Sequence, residues 1–159
     1  RQTGMTRVPT NSSTKMVFTF TTEIGVETEA MWVKPIDRFS YEVTNIPFYA
    51  MGVACGDIVQ GEVDVDGTLK FARVVRSGCH STIRVIVFDE SRIRAVCDLL
   101  ESFGCQIEIS DVKSLLAVDV PPSTAWLELI EALAGLGKEG VLDWEEAAIS
   151  THHLPLSSN

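Results

Sequence analysis

The sequence predicts an α+β fold in which a small β-barrel is followed by a ferredoxin-like (βαββαβ) C-terminal half. Two observations carry this. Residues 16–76 hold five short segments rich in β-branched and aromatic residues, with period-two alternation and no helical periodicity. Beyond residue 80 the pattern becomes strand, helix, strand, strand, helix, strand, with two stretches of apolar residues at helical spacing. The organisation expected is an arm over 1–15, the barrel over 16–79, the ferredoxin-like unit over 80–150 and a tail over 151–159.

The arm, "RQTGMTRVPTNSSTK", is Ser/Thr-rich and aperiodic, as a solvated segment is, with Met5 expected as the natural start. "MVFTFTT" then places Met16, Phe18 and Phe20 on one face of a strand, because successive side chains alternate sides. "VETEAMWVKPI" and "FSYEVT" follow, the latter with Phe39, Tyr41 and Val43 on a common face. "DIVQGEVDV" and "TLKFARVVR" are joined at Asp66-Gly67, a favoured hairpin turn because glycine accepts the positive φ it requires.

In the second half "TIRVIVF" alternates Ile83, Val85 and Val87. A helix from about Ser91 to Gly104 carries Val96, Cys97 and Leu100 on its apolar stripe. "CQIEIS" and "SLLAVDV" read as strands. Pro121-Pro122-Ser123 opens a second helix, with Ser123 as its N-cap and Leu127, Ile130 and Ala134 on one face. "VLDWEEAAI" closes the sheet as an edge strand whose Asp143, Glu145 and Glu146 discourage unwanted strand pairing.

Composition narrows the function. Of 159 residues, 45% are apolar, enough for a packed core. Thirteen Lys and Arg against twenty-two Asp and Glu give a net charge of −9, which repels a nucleic-acid backbone and suits a basic protein or a ligand in a polar pocket. No apolar run approaches the roughly 18 residues of a membrane span, and the start lacks a secretory apolar region. A cytoplasmic protein without membrane contact is expected. The four cysteines lack C-x-x-C spacing and are expected as free thiols. No dinucleotide, P-loop or zinc-protease motif occurs, so no cofactor is expected. "EVDVDG" imitates the start of a calcium loop, but Arg73 stands where the closing Glu belongs. His152-His153 is a weak metal motif, since adjacent histidines rarely converge.

Two segments carry candidate chemistry. "NIPFYAMGVACGD" (45–57) joins two strands through a long connection, either as a hydrophobic cover for one end of the barrel or as a binding surface with Phe48 and Tyr49 as aromatic anchors. "SGCHSTIRV" (77–85) sets Cys79, His80 and Ser81 side by side at the junction of the halves. In an extended chain Cys79 and Ser81 share a face opposite His80, so a catalytic His80 needs a distant partner, for which Asp57 and Tyr49 are the candidates. The leading expectation is a binding module without catalysis, recognising a basic protein, in the manner of an inhibitor or immunity protein, or a small ligand at the domain seam. Its site would comprise Phe48, Tyr49, Asp57, His80 and Ser81. The rival is a Cys/His- or Ser/His-dependent hydrolase or transferase using His80 with Cys79, Ser81 or Asp57. A homodimer through the second sheet is a further possibility.

"MWVKPIDRFSYEVTNIPFYAMGVACGDIV" (31–59), "FARVVRSGCHSTIRV" (71–85) and "LLAVDVPP" (115–122) together resemble the bacterial domain-of-unknown-function family four-two-six-five, over roughly residues 16–149. The match lies at Trp32, Asn45 to Phe48, Gly56-Asp57-Ile58-Val59 and Ser77 to Thr82, with Cys79 departing from the family's S-G-H run. The resemblance implies an intracellular bacterial protein and no particular activity.

Overall fold

A computed structural model describes residues 2–3 (backbone), 13–112 and 114–154 of the chain, so the expected arm and tail lie largely outside the described residues. After a two-residue strand, β1 (Gln2–Thr3), alternation of apolar side chains gives the five expected strands: β2 (Thr14–Thr22), β3 (Gly25–Pro35), β4 (Ser40–Val43), β5 (Ile58–Val63) and β6 (Leu69–Arg76). Successive neighbours pair antiparallel, and β2 meets β6 in parallel at Val17 and Lys70, closing a barrel. Met16, Phe18, Met31, Val33, Val43 and Val59 fill it. Phe20 and Phe71 pack at its edge, with the rings of Phe18 and Phe71 stacked at 4.7 Å. The β5–β6 turn forms as expected, with Gly67 at φ +86° and its N–H donating to Asp64 O. Lys70 pairs with Asp64, so the would-be calcium carboxylate is bound to a cation. Phe39 departs from expectation: β4 begins one residue later, and the ring lies on the surface under Arg38.

The second half contributes β7 (Ser81–Val87), α1 (Ile93–Ser102), β8 (Gln106–Ile109), β9 (Leu115–Val120), α2 (Trp126–Lys138) and β10 (Leu142–Ala148). The sheet order is β1-β8-β9-β7-β10, with β1 parallel to β8 and the other pairs antiparallel. Each helix crosses between strands that are not neighbours. Both helices pack on one face, where Val96, Cys97 and Leu100 of α1 and Leu129 and Leu133 of α2 meet Ile83, Val85, Leu116 and Val118. Ser123 is not the N-cap of α2. Ala125 holds that position without a side-chain bond, and Thr124 turns back to donate to Phe103 O at 2.8 Å. The buried stripe of α2 is rotated from the expected one, since Leu127 is exposed and Leu129 and Leu133 are the core residues.

The sheet's other face meets the barrel. Connection 45–57 lies between them, sending Ala50 and Val53 into the barrel core and Ile46 and Phe48 against Leu115 and Ala117 of β9. It therefore covers one end of the barrel and also joins the barrel to the sheet.

Candidate functional site

The connection is folded around a carboxylate. Glu29 on β3 follows the inward register of Met31 and Val33, and its oxygens accept from the N–H groups of Phe48 (2.8 Å), Tyr49 (3.0 Å) and Ala50 (2.9 Å). Three converging amides suit an anion, and the anion fixes the backbone that presents Tyr49. From the other side Arg84 of β7, itself buried, donates from Nε to Glu145 (2.9 Å) and from Nη1 to Ala50 O (3.3 Å), while Nη2 contacts Met51 Sδ. Gly52 N–H donates to Ala147 O on β10, adding a main-chain tie.

Between these elements opens a crevice of about 490 Å³. Its apolar surface comes from Phe20, Phe48, Tyr49, Ile86, Leu115 and Trp144. Glu27, Asp143 and Glu145 supply carboxylates, against the single guanidinium of Arg84. Tyr49 is 43% exposed and Ile86 45%, so apolar surface is available to a visitor. Of the expected site residues Phe48 and Tyr49 belong here; Asp57, His80 and Ser81 do not line it.

Those three lie apart from the crevice, each with partners of its own. His80 Nδ1 lies 2.9 and 3.0 Å from the two carboxylate oxygens of Asp119, a buried residue of β9. The partner of His80 is thus Asp119, in place of the expected Asp57 or Tyr49. Asp57 is also buried, but its oxygens accept from Gly78 N–H (2.9 Å) and Ala54 N–H (3.0 Å). Burial pushes its carboxyl above the ordinary value, against the lowering effect of both amides and of His80. Cys79 is exposed, holds a left-handed φ of +68°, and donates its N–H to Ser77 Oγ. Neither Cys79 nor Ser81 hydrogen-bonds His80 among the described residues.

Ser81 belongs to a different histidine. Its hydroxyl lies 2.6 Å from His153 Nδ1 and accepts from Ser150 N–H at 2.9 Å. His153 Nε2 lies 3.0 Å from Pro121 O, an acceptor only, which fixes the tautomer with hydrogen on Nε2 and lets the hydroxyl donate to Nδ1. The ring stacks on Trp126 at 4.9 Å, and burial holds its pKa below the ordinary imidazole value. Ser81 is fully buried, so this Ser–His contact fastens the residue 150–153 turn to β7 and offers no accessible nucleophile. All four cysteines are free thiols. Burial, with Asp119 nearby, pushes Cys105 up to about 12, so that thiol stays protonated.

Among the described residues no three His, Cys, Asp or Glu side chains converge on a metal-sized site, and no helix is long and apolar enough to cross a membrane. Sequence reasoning missed Glu29, Arg84, Trp144 and Asp119 as site residues. Strand register held the signal for two of them: Glu29 shares the inward face of Met31 and Val33, and Arg84 lies opposite the helix-facing Ile83 and Val85.

A closed barrel joined through a plugging connection to a helix-backed sheet, with a crevice along the join, defines the class of this protein. The chain belongs to a domain of unknown function, DUF4265, whose family model matches residues 29–144. The fold resembles that of a hypothetical protein from Neisseria gonorrhoeae, at a TM-score of 0.77 and 20% identity over 89% of this chain and 99% of that one. No curated protein matches the sequence.

Proposed function

We propose that the chain is a binding module whose ligand is a small molecule seated in the crevice between the barrel and the sheet. The observation that carries this is the crevice itself, about 490 Å³, apolar in its lining and bordered by a connection whose backbone is tied down. Small-molecule sites commonly measure about 300–1,000 Å³, are mainly apolar, and carry a few fixed polar groups. Glu29 and Arg84 supply the fixing, since each binds the backbone that carries Tyr49 and Met51. We read the second half as ferredoxin-like, because its strand order and its two crossing helices follow that plan. The reading predicts that an NMR screen of small aromatic compounds yields ligands that shift Tyr49, Met51, Ile86 and the Trp144 indole together. Tyr49→Ala and Ile86→Ser should each weaken them while the fold persists. Ligands that map elsewhere, or none at all, would refute it.

One observation favours a second reading, a Cys/His- or Ser/His-dependent hydrolase or transferase: a buried carboxylate orients His80, as a general base requires. Ser81 is enclosed and bonded to His153, so Cys79 is the nucleophile left for it. Alkylation of Cys79 as a function of pH decides the matter. A thiolate already formed at neutral pH revives the enzyme; a rate that climbs toward the ordinary cysteine pKa, about 8.5, ends it.

A further inference from the structure

We infer that the crevice ligand is a cation: a small organic amine with one ammonium group on an apolar or aromatic body. The inference rests on the binding reading above and deepens it. Three carboxylates, Glu27, Asp143 and Glu145, border a mainly apolar surface, and the one cationic side chain among the lining residues is already engaged. Arg84 gives Nε to Glu145, Nη1 to Ala50 O and Nη2 to Met51 Sδ and is buried, so its charge is engaged within the fold on all three nitrogens. Glu145 meets Arg84 through Oε1 while its side chain stays 60% exposed, leaving carboxylate surface toward solvent. Glu27 and Asp143 are exposed and have no cationic partner among the described residues. Phe20, Tyr49 and Trp144 add aromatic rings, whose faces attract a desolvated ammonium. An anionic ligand would meet like charge at the rim, and a neutral one would gain nothing from the carboxylates there. The chain's net charge of −9 draws the same kind of ligand at longer range.

The test uses the full chain and three probes of one shape: 4-phenylbutylamine, 4-phenylbutanol and 4-phenylbutyrate, titrated by calorimetry at low salt and near neutral pH. The amine should bind at least ~10-fold more tightly than the alcohol, and the carboxylate more weakly than the alcohol. Raising the salt to about 0.5 M should erase most of that preference, since screening then acts within a few ångströms. Asp143→Asn combined with Glu27→Gln should bring the amine down to the alcohol's affinity and leave the alcohol unchanged. A mere loss of structure would lower both. Equal binding of amine and alcohol overturns the charge inference and leaves the crevice reading standing. Tightest binding of the carboxylate also overturns it. If a lysine- and phenylalanine-containing peptide binds and the free amine does not, the small-molecule inference falls to a basic polypeptide partner. Failure of every probe to bind refutes the crevice reading together with the inference.

Discussion

At the scale of single residues, Glu29 has the clearest energetic role. Its two oxygens satisfy three amides of a connection that has no ladder to satisfy them. Glu29→Gln leaves one carbonyl oxygen for three donors and turns an amide N–H toward another, so at least one amide loses its acceptor. A buried donor without a partner costs about 1–3 kcal/mol, and a loss of about 2 kcal/mol in urea denaturation is expected. Hydrogen exchange should quicken at Phe48 to Ala50 first. His153 makes a pH prediction. Burial lowers its pKa in the fold below the ordinary 6.5, so between those two values the unfolded chain holds a proton that the folded chain has released. Stability therefore rises with pH through that window, is complete above the unfolded value, and is lost as pH falls toward the folded one. His153→Gln should flatten this part of the stability curve, measured by denaturation from about pH 7.5 down to about 5.5.

At the scale of elements, the junction between the halves is set by contact between two glycines. A Cβ on Gly78 would collide with the main chain of Gly56, whereas one on Gly61 meets chiefly the flexible end of Met16 and a methyl of Leu69. Backbone cannot yield as a side-chain end can. Gly78→Ala is expected to cost at least ~3 kcal/mol, the upper part of the overpacking range, and Gly61→Ala less, by thermal or urea unfolding. The strands were legible in the sequence because alternation is a local property, and all five barrel segments appear where it placed them. The exceptions were decided by longer-range partners. Phe39 is held outside β4 when its N–H bonds Asp37, and the face that α2 buries depends on where β7 and β9 lie beneath it. Ser123 had the right chemistry for a cap, but Thr124 is bound to Phe103 and the helix starts two residues later than that cap requires.

At the scale of the molecule, ties across the join couple the halves. Arg84 reaches Ala50, Thr82 reaches Val53, Gly78 meets Asp57, and Phe48 packs on Leu115 and Ala117. Barrel and sheet should therefore unfold in one transition. Trp32 reports on the barrel, and Trp126 and Trp144 on the other half. Urea curves for Trp32→Phe and for a Trp126→Phe, Trp144→Phe variant should coincide in shape when each is compared with circular dichroism of the same variant. Separated fluorescence and dichroism transitions would show two independent units. The site was less legible than the fold for this same reason. Phe48 and Tyr49 stood out through the length of their connection, whereas Asp119 reaches His80 only because β9 lies antiparallel on β7, across 39 residues of sequence.

The fastening of Ser81 by His153 spans 72 residues. On a ribosome the chain emerges from its N-terminus, so β7 is made long before the imidazole that completes its first hydroxyl exists. Until then the Ser81 hydroxyl lacks its imidazole partner, and the last strand of the sheet, β10, has still to be made. Closure of this unit therefore comes after its strands have been made, when the 150–153 turn can fold back onto β7.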